Sequence, residues 1–409
     1  MKRNLSLAIL IFAANAAAQV VIVTGTGDPK IDIPAVQAAV DKGGQVVLAG
    51  RFSFDAPPTV PKPTSFQSPG LATILISKAV SVSGTLDDQG QLTAIVAGTV
   101  PFYVDAPGSP VAIQGIHFVR PKGVAIAVAA VAGLAVSYNR IEGLDPDSSG
   151  GTGILISTSV VVPSGTDLGN AANISGNLWV AFNEIDMQAQ GSATRLGIVV
   201  LAVGKSPDKE ADLYIWQNTV MNANERPIDI YSVGGRAYIE RNTIVTTTGA
   251  GINVAPSGDV IHIVGPGSFL IAHNAIECNW TSGMQAGIRL QTRSGQTISR
   301  AVVFDNDVNM AAPAGTTFGA LSAAIEVRGA GDGTMVFNNR IRGRANFALA
   351  VANQGGAPQG TTFLLNDLQG FTSAQADIFL DAGATNTVVM AGKSKVEDHG
   401  TGTVMVPTP

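Results

Sequence analysis

Seven residues able to do chemistry sit at matching places in short runs of alternating apolar residues. They are Asp229, Tyr231, Asn253, Arg289, Gln291, Glu326 and Arg328. Alternation along a strand sends neighbouring side chains to opposite faces. In Ile228-Asp229-Ile230-Tyr231 the isoleucines therefore face one way, and Asp229 and Tyr231 the other. The same rule turns out Asn253 of Gly251–Val254, Arg289 and Gln291 of Gly287–Gln291, and Glu326 and Arg328 of Ala324–Arg328. Stacked on one another, these segments form one polar strip four strands wide. Arginine holds a carboxylate through two parallel hydrogen bonds. With an aromatic and amides beside it, the strip suits a sugar that carries carboxylates. The plainer reading is a solvated face on which Arg289 and Glu326 pair across adjacent strands.

The elements that would position the strip repeat along the chain. Gly-Ile-Leu-Ile (153–156), Gly-Ile-Val-Val (197–200), Pro-Ile-Asp-Ile (227–230), Gly-Ile-Asn-Val (251–254), Gly-Ile-Arg-Leu (287–290), Ala-Ile-Glu-Val (324–327), Ala-Leu-Ala-Val (348–351) and Asp-Ile-Phe-Leu (377–380) share one frame. The second strand of each coil leads to an Asn with apolar residues five and three places before it and two after. Those Asn residues are 139, 183, 218, 242, 274, 306, 339 and 366. One motif in one frame, at intervals varying from 24 to 44 residues, means a repeated coil with loops of unequal length. An Asn at such a turn tolerates left-handed backbone and bonds to its neighbours. The row reads as an amide ladder holding the turns rather than as a row of ligands.

Composition fits an elongated repeat. Of 409 residues 45% are hydrophobic and 13% charged, with net charge −5, so there is a core to bury and no basic face for nucleic acid. Cys278 is the sole cysteine and forms no internal disulfide. Lys2 and Arg3, the apolar run Leu5–Ala14 and Ala16-Ala17-Ala18 have the order of a secretory leader. Residues 1–18 are expected to be a signal peptide, which places the protein outside the cytoplasm, secreted or periplasmic. No later run reaches the ~20 apolar residues of a membrane span. Residues 19–409 are expected to form a single domain.

Near the start, Asp32-Ile33-Pro34 reads as the opening of a short helix capped by Asp32, with Ile33, Val36 and Val40 on one face and Gly43-Gly44 ending it. The run DIPAVQAAVDKGGQVVLAGRFSFD, followed by the coils, resembles the opening of the pectate-lyase-like right-handed parallel β-helix proteins. The expected fold is all-β: a right-handed parallel β-helix of about ten coils at ~4.8 Å each, with a short N-terminal capping helix. A sandwich of antiparallel hairpins gives no reason for a single recurring frame.

This fold hosts many functions, so function has to come from the site. The resemblance implies a sugar groove along the outward side of the first strands, and hence a polysaccharide partner. Asp229 and Glu326 fall three coils apart, roughly 14 Å. That is beyond the ~5–9.5 Å of a glycosidase pair. Lyase chemistry needs a base beside a uronate carboxylate and a cation to take up the charge. By the resemblance, Arg289 is the candidate base, with Asp229 and Glu326 as the other catalytic candidates. Tyr231, Asn253, Gln291 and Arg328 are the substrate-binding candidates. Calcium is the cofactor the resemblance implies, but one Asp and one Glu make no tight calcium site. The rival function is a non-catalytic envelope, adhesion or assembly protein. His117, His262, His273 and His399 are scattered without zinc spacing. The loop Asp145–Gly150, the insertion Thr158–Gly176 and Trp179, Trp216 and Trp280 each have an ordinary structural reading as well as a ligand-binding one.

Overall fold

The computed structural model describes residues 20–55, 74–99, 101–145, 150–157, 173–188, 194–204, 210–246, 258–280, 284–292, 298–312, 314–329, 332–354 and 356–407. The expected leader, Gly251–Val254 and residues 158–172 of the insertion lie outside them.

Each coil of the central region contributes three strands, and each strand pairs with its counterpart one coil on. Thr194–Val203, Ala211–Trp216 and Thr219–Met221 pair with Ile228–Val233, Arg236–Glu240 and Thr243–Val245 respectively. All these pairings are parallel, and the pattern continues in both directions. The architecture is a right-handed parallel β-helix, the hand that parallel crossovers take.

The core is built in columns. Ile154, Ile198, Ile228, Ile261, Ile288, Ile325, Leu349 and Ile378 stand in register on successive strands, all buried. Burying such a side chain contributes about 1.5–3 kcal/mol. One frame differs from the sequence expectation. The strand between Ile228–Val233 and Met284–Gln291 is Gly258–Val264, so Ile261, and not Ile252, fills the column.

The Asn residues form the expected ladder. Asn139, Asn183, Asn218, Asn242, Asn274, Asn306 and Asn339 each donate from Nδ2 to Oδ1 of the next, at 2.9–3.1 Å. The left-handed backbone falls one place earlier than expected. Tyr138, Phe182, Gln217, Arg241, His273, Asp305, Asn338 and Leu365 have φ of 52–59°. Each such non-glycine residue costs about 1–2 kcal/mol. The amide that follows it ties the turn to the next coil and offsets that cost. Asn242→Ala removes four hydrogen bonds, two accepted from Asn218 and two donated to Ile215 and Asn274. It is expected to cost about 3–5 kcal/mol, since buried partners are left unmade. Urea unfolding would show it, with the end-of-row Asn366→Ala costing less.

The helix spans Pro29–Val40, four residues longer at its start than a cap at Asp32 implies. Its cap is Asp28, whose carboxylate accepts from Lys30 N–H at 2.9 Å, and Pro29 takes the first-turn place. Asp32 is a latch instead. Buried, it accepts from Thr26 N and Oγ1, Gly27 N and Ser53 N, which fastens the helix to the first two strands. Gln37 donates from Nε2 to Leu75 O and accepts from Leu75 N, both at 2.9 Å. Its amide thereby continues the sheet and satisfies an edge strand that would otherwise be open.

Candidate functional site

The outward faces of four adjacent strands meet in one buried ionic cluster. In register across Ile228–Val233, Gly258–Val264, Met284–Gln291 and Ala323–Arg328 stand Asp229, His262, Arg289 and Glu326. Two places on, the row is Tyr231, Val264, Gln291 and Arg328. The structure thus brings together Asp229, Tyr231, Arg289, Gln291, Glu326 and Arg328. Asn253 lies outside the described residues, and the neighbour of Asp229 and Arg289 is His262. Asp229 and Glu326 remain three strands apart.

The strip is not solvated. Asp229 and His262 are each 3% exposed, Arg289 is 2% and Glu326 0%. Apolar neighbours flank it on the same face: Leu155, Val199, Leu201 and Val264 on one side, Phe347 and Ala350 on the other. Charges taken out of water at this depth require close partners.

His262 Nδ1 lies 2.7 Å from Asp229 Oδ1. A carboxylate only accepts, so Nδ1 carries the proton, and in the neutral ring Nε2 holds the lone pair. Nε2 faces the side-chain amide of Gln291 at 3.4 Å, whose N–H is the group that can donate to it. The edge of Tyr231 meets the imidazole at 5.5 Å between ring centres. Arg226 Nη1 donates to Asp229 Oδ2 at 3.2 Å and to Tyr231 Oη at 3.1 Å. Burial pulls against the Arg226 charge, yet Asp229, Tyr231, Glu225 and Asp259 together hold its proton above the ordinary arginine value.

The other half is centred on Arg289. Its Nη1 lies 2.7 Å from Asp259 Oδ2 and its Nε 2.6 Å from Glu326 Oε2. Glu326 Oε1 also accepts from Arg328 Nε and Nη2. Asp259 is fully buried, and its Oδ1 has no hydrogen-bond partner among the described residues. Burial pushes its carboxyl up from the ordinary range, while Arg289, His262 and Arg226 oppose that rise.

Every carboxylate in the cluster is engaged with a cation or an imidazole. Such a set does not fit calcium, which takes six to eight oxygens. Among the described residues there is no group of three or more His, Cys, Asp or Glu placed to hold a metal ion. No described helix is long and apolar enough to cross a membrane.

His262, Arg226 and Asp259 escaped the sequence reading. For His262 spacing gave no signal: the interval from the first-strand column residue to the next Asn runs from 14 to 29 in the other coils, so the 22 from Ile252 fits as well as the 13 from Ile261. Residues 146–149 of the acidic loop lie outside the described residues, and several other ligand-like candidates have structural partners. Trp280 is buried and donates to Ala223 O, and Trp179 stacks on Tyr214 at 4.0 Å. His117 bonds Glu142, and Cys278 is buried with its thiol pushed up to about 12.

No family model matches the chain, and no curated protein matches it. Among solved structures the chain is similar to the A-module of the mannuronan C-5 epimerase AlgE6 of Azotobacter vinelandii, at 14% identity over 94% of this chain and 98% of that one, with a TM-score of 0.37. It is similar also to the AlgE4 A-module of the same organism, at 13% identity over 88% and 97%, with a TM-score of 0.34. Likenesses this distant leave the fold to be read from the strand register, which is that of a parallel β-helix.

Proposed function

We propose that this chain is an exported β-helix protein that binds an acidic polysaccharide and cleaves it by a lyase-type proton abstraction. The observation that carries the reading is the Asp229–His262 pair at 2.7 Å, set between Tyr231, Arg226 and Arg289 in the middle of the sheet. Export is supported by the leader-like residues 1–18. In this reading the base is His262, with Asp229 holding its tautomer, and Arg289 supplies fixed positive charge. Nε2 takes the proton from the carbon beside a uronate carboxylate, and the electron pair moves onto that carboxylate. Collapse forms a carbon–carbon double bond and breaks the neighbouring carbon–oxygen bond. The leaving oxygen takes a proton from Tyr231, whose resulting charge Arg226 stabilises, and solvent returns each group to its starting state.

A digestion panel tests this. The mature chain is incubated with pectate, alginate, hyaluronan and chondroitin, and ultraviolet absorbance of unsaturated product and new reducing ends are followed. Absorbance rising together with reducing ends is the expected result. Reducing ends alone would mean hydrolysis and would overturn it.

One observation favours a second reading, a non-catalytic envelope or adhesion protein: the depth of the Asp259–Arg289–Glu326 chain, whose carboxylates are wholly buried. No product on any polymer would favour it.

A further inference from the structure

Gln291 and Arg328 stand side by side on adjacent strands, and both reach the partly exposed rim of the cluster. Arg328 is held from below. Its Nε and Nη2 donate to Glu326 Oε1 at 2.7 and 2.6 Å, Glu326 is fixed by Arg289, and Arg289 by Asp259. This chain uses one edge of the guanidinium fork. Among the described residues, Arg328 Nη1 has no hydrogen-bond partner, and the Gln291 amide meets only His262 Nε2, at 3.4 Å, which can take one of its two N–H hydrogens and leaves the other to a ligand. Two donors are thus presented from neighbouring strands, about 4.8 Å apart at the backbone.

We propose that Gln291 and Arg328 together hold the carboxylate of the sugar unit presented to His262, with Glu326, Arg289 and Asp259 as the positioning residues that aim Arg328. The inference rests on the polysaccharide reading above and adds which group of the sugar is recognised, and where. Two N–H donors suit the two oxygens of one carboxylate. Gln291 also ties recognition to chemistry. Its amide lies against the lone pair of His262 Nε2 at 3.4 Å. Turning its amide toward a carboxylate uncovers Nε2 on the side of the carbon that bears that carboxylate. A neutral sugar gives Gln291 no reason to turn.

The test is calorimetric binding of galacturonate and mannuronate oligomers and of their methyl esters, which keep the shape and lose the charge. The wild type is expected to bind at least one acid form about ten- to hundredfold more tightly than its ester, the worth of hydrogen bonds to a charged group. Arg328→Gln should lose that margin. Gln291→Glu, nearly isosteric, should lose it as well with an unaltered melting temperature, so the test does not depend on Arg328→Gln folding. Equal wild-type binding of acid and ester would overturn the carboxylate subsite while leaving polysaccharide binding intact. Binding of neither form would overturn both.

Discussion

The His262→Gln protein is expected to fold as the wild type does and to lose activity on its polyuronate by about a hundred- to ten-thousandfold. Glutamine keeps a polar group near Asp229, so the buried carboxylate retains a neighbour, but it has no lone-pair nitrogen to accept a proton. Asp229→Asn is expected to fall in the same direction, because an amide no longer fixes the proton on Nδ1 of His262. Far-ultraviolet dichroism and melting temperature would establish that the fold is kept, and initial rates would give the loss. A His262→Gln protein with wild-type rates would remove His262 from the chemistry.

Arg289→Met is expected to be the most damaging single change to stability within the site, at about 3–5 kcal/mol. The methionine fills similar space. It leaves Asp259 without the cation that Oδ2 meets at 2.7 Å, and Glu326 with Arg328 alone. Removing one member of a buried ionic set costs more than the set contributes, because the remaining charges have no water to return to. The triple change Arg289→Met, Asp259→Asn, Glu326→Gln should recover much of the loss. Urea unfolding of the two proteins measures it; equal stability of Arg289→Met and wild type would contradict it. Any activity lost on changing Arg289 has to be read beside this effect.

How much of this was legible in the sequence depended on periodicity. The Ile and Asn columns are written as a frame, and a frame is what a stacked coil requires, so fold class and ladder followed from residues 134–366 alone. The same alternation located Asp229, Tyr231, Arg289, Gln291, Glu326 and Arg328 on one face. It failed at Gly251–Val254, because Gly-Ile-Asn-Val and Val-Ile-His-Ile fit a strand equally well and both fall before Asn274. The distance to the next Asn does not separate them, because it varies from 14 to 29 in the other coils. Alternation predicts facing only inside a regular strand: Arg226 acts from the turn before Ile228–Val233, and Asp259 is the second residue of Gly258–Val264, where the register with the next strand shifts.

Burial was not legible either. A strip of Asp, Arg and Glu looks solvated in sequence, and nothing local reports what covers it. At the helix the sequence held two prolines and two aspartates. Local pattern makes Pro34 the first turn and Asp32 the cap, whereas Pro29 and Asp28 fill those places and Asp32 reaches Ser53, 21 residues on. Long-range partners of that kind decide a side chain's role and leave no mark in the local pattern.

The most direct measurement is proton exchange at the carbon beside the carboxylate. The wild type and His262→Gln are incubated in deuterium oxide with galacturonate and mannuronate oligomers, and recovered sugar and unsaturated product are examined by mass spectrometry and proton resonance. Abstraction at His262 predicts loss of that hydrogen, as unsaturated product or as deuterium in recovered sugar, with the wild type and not with His262→Gln. Retention of the hydrogen by every oligomer, or its equal loss with both proteins, would contradict it.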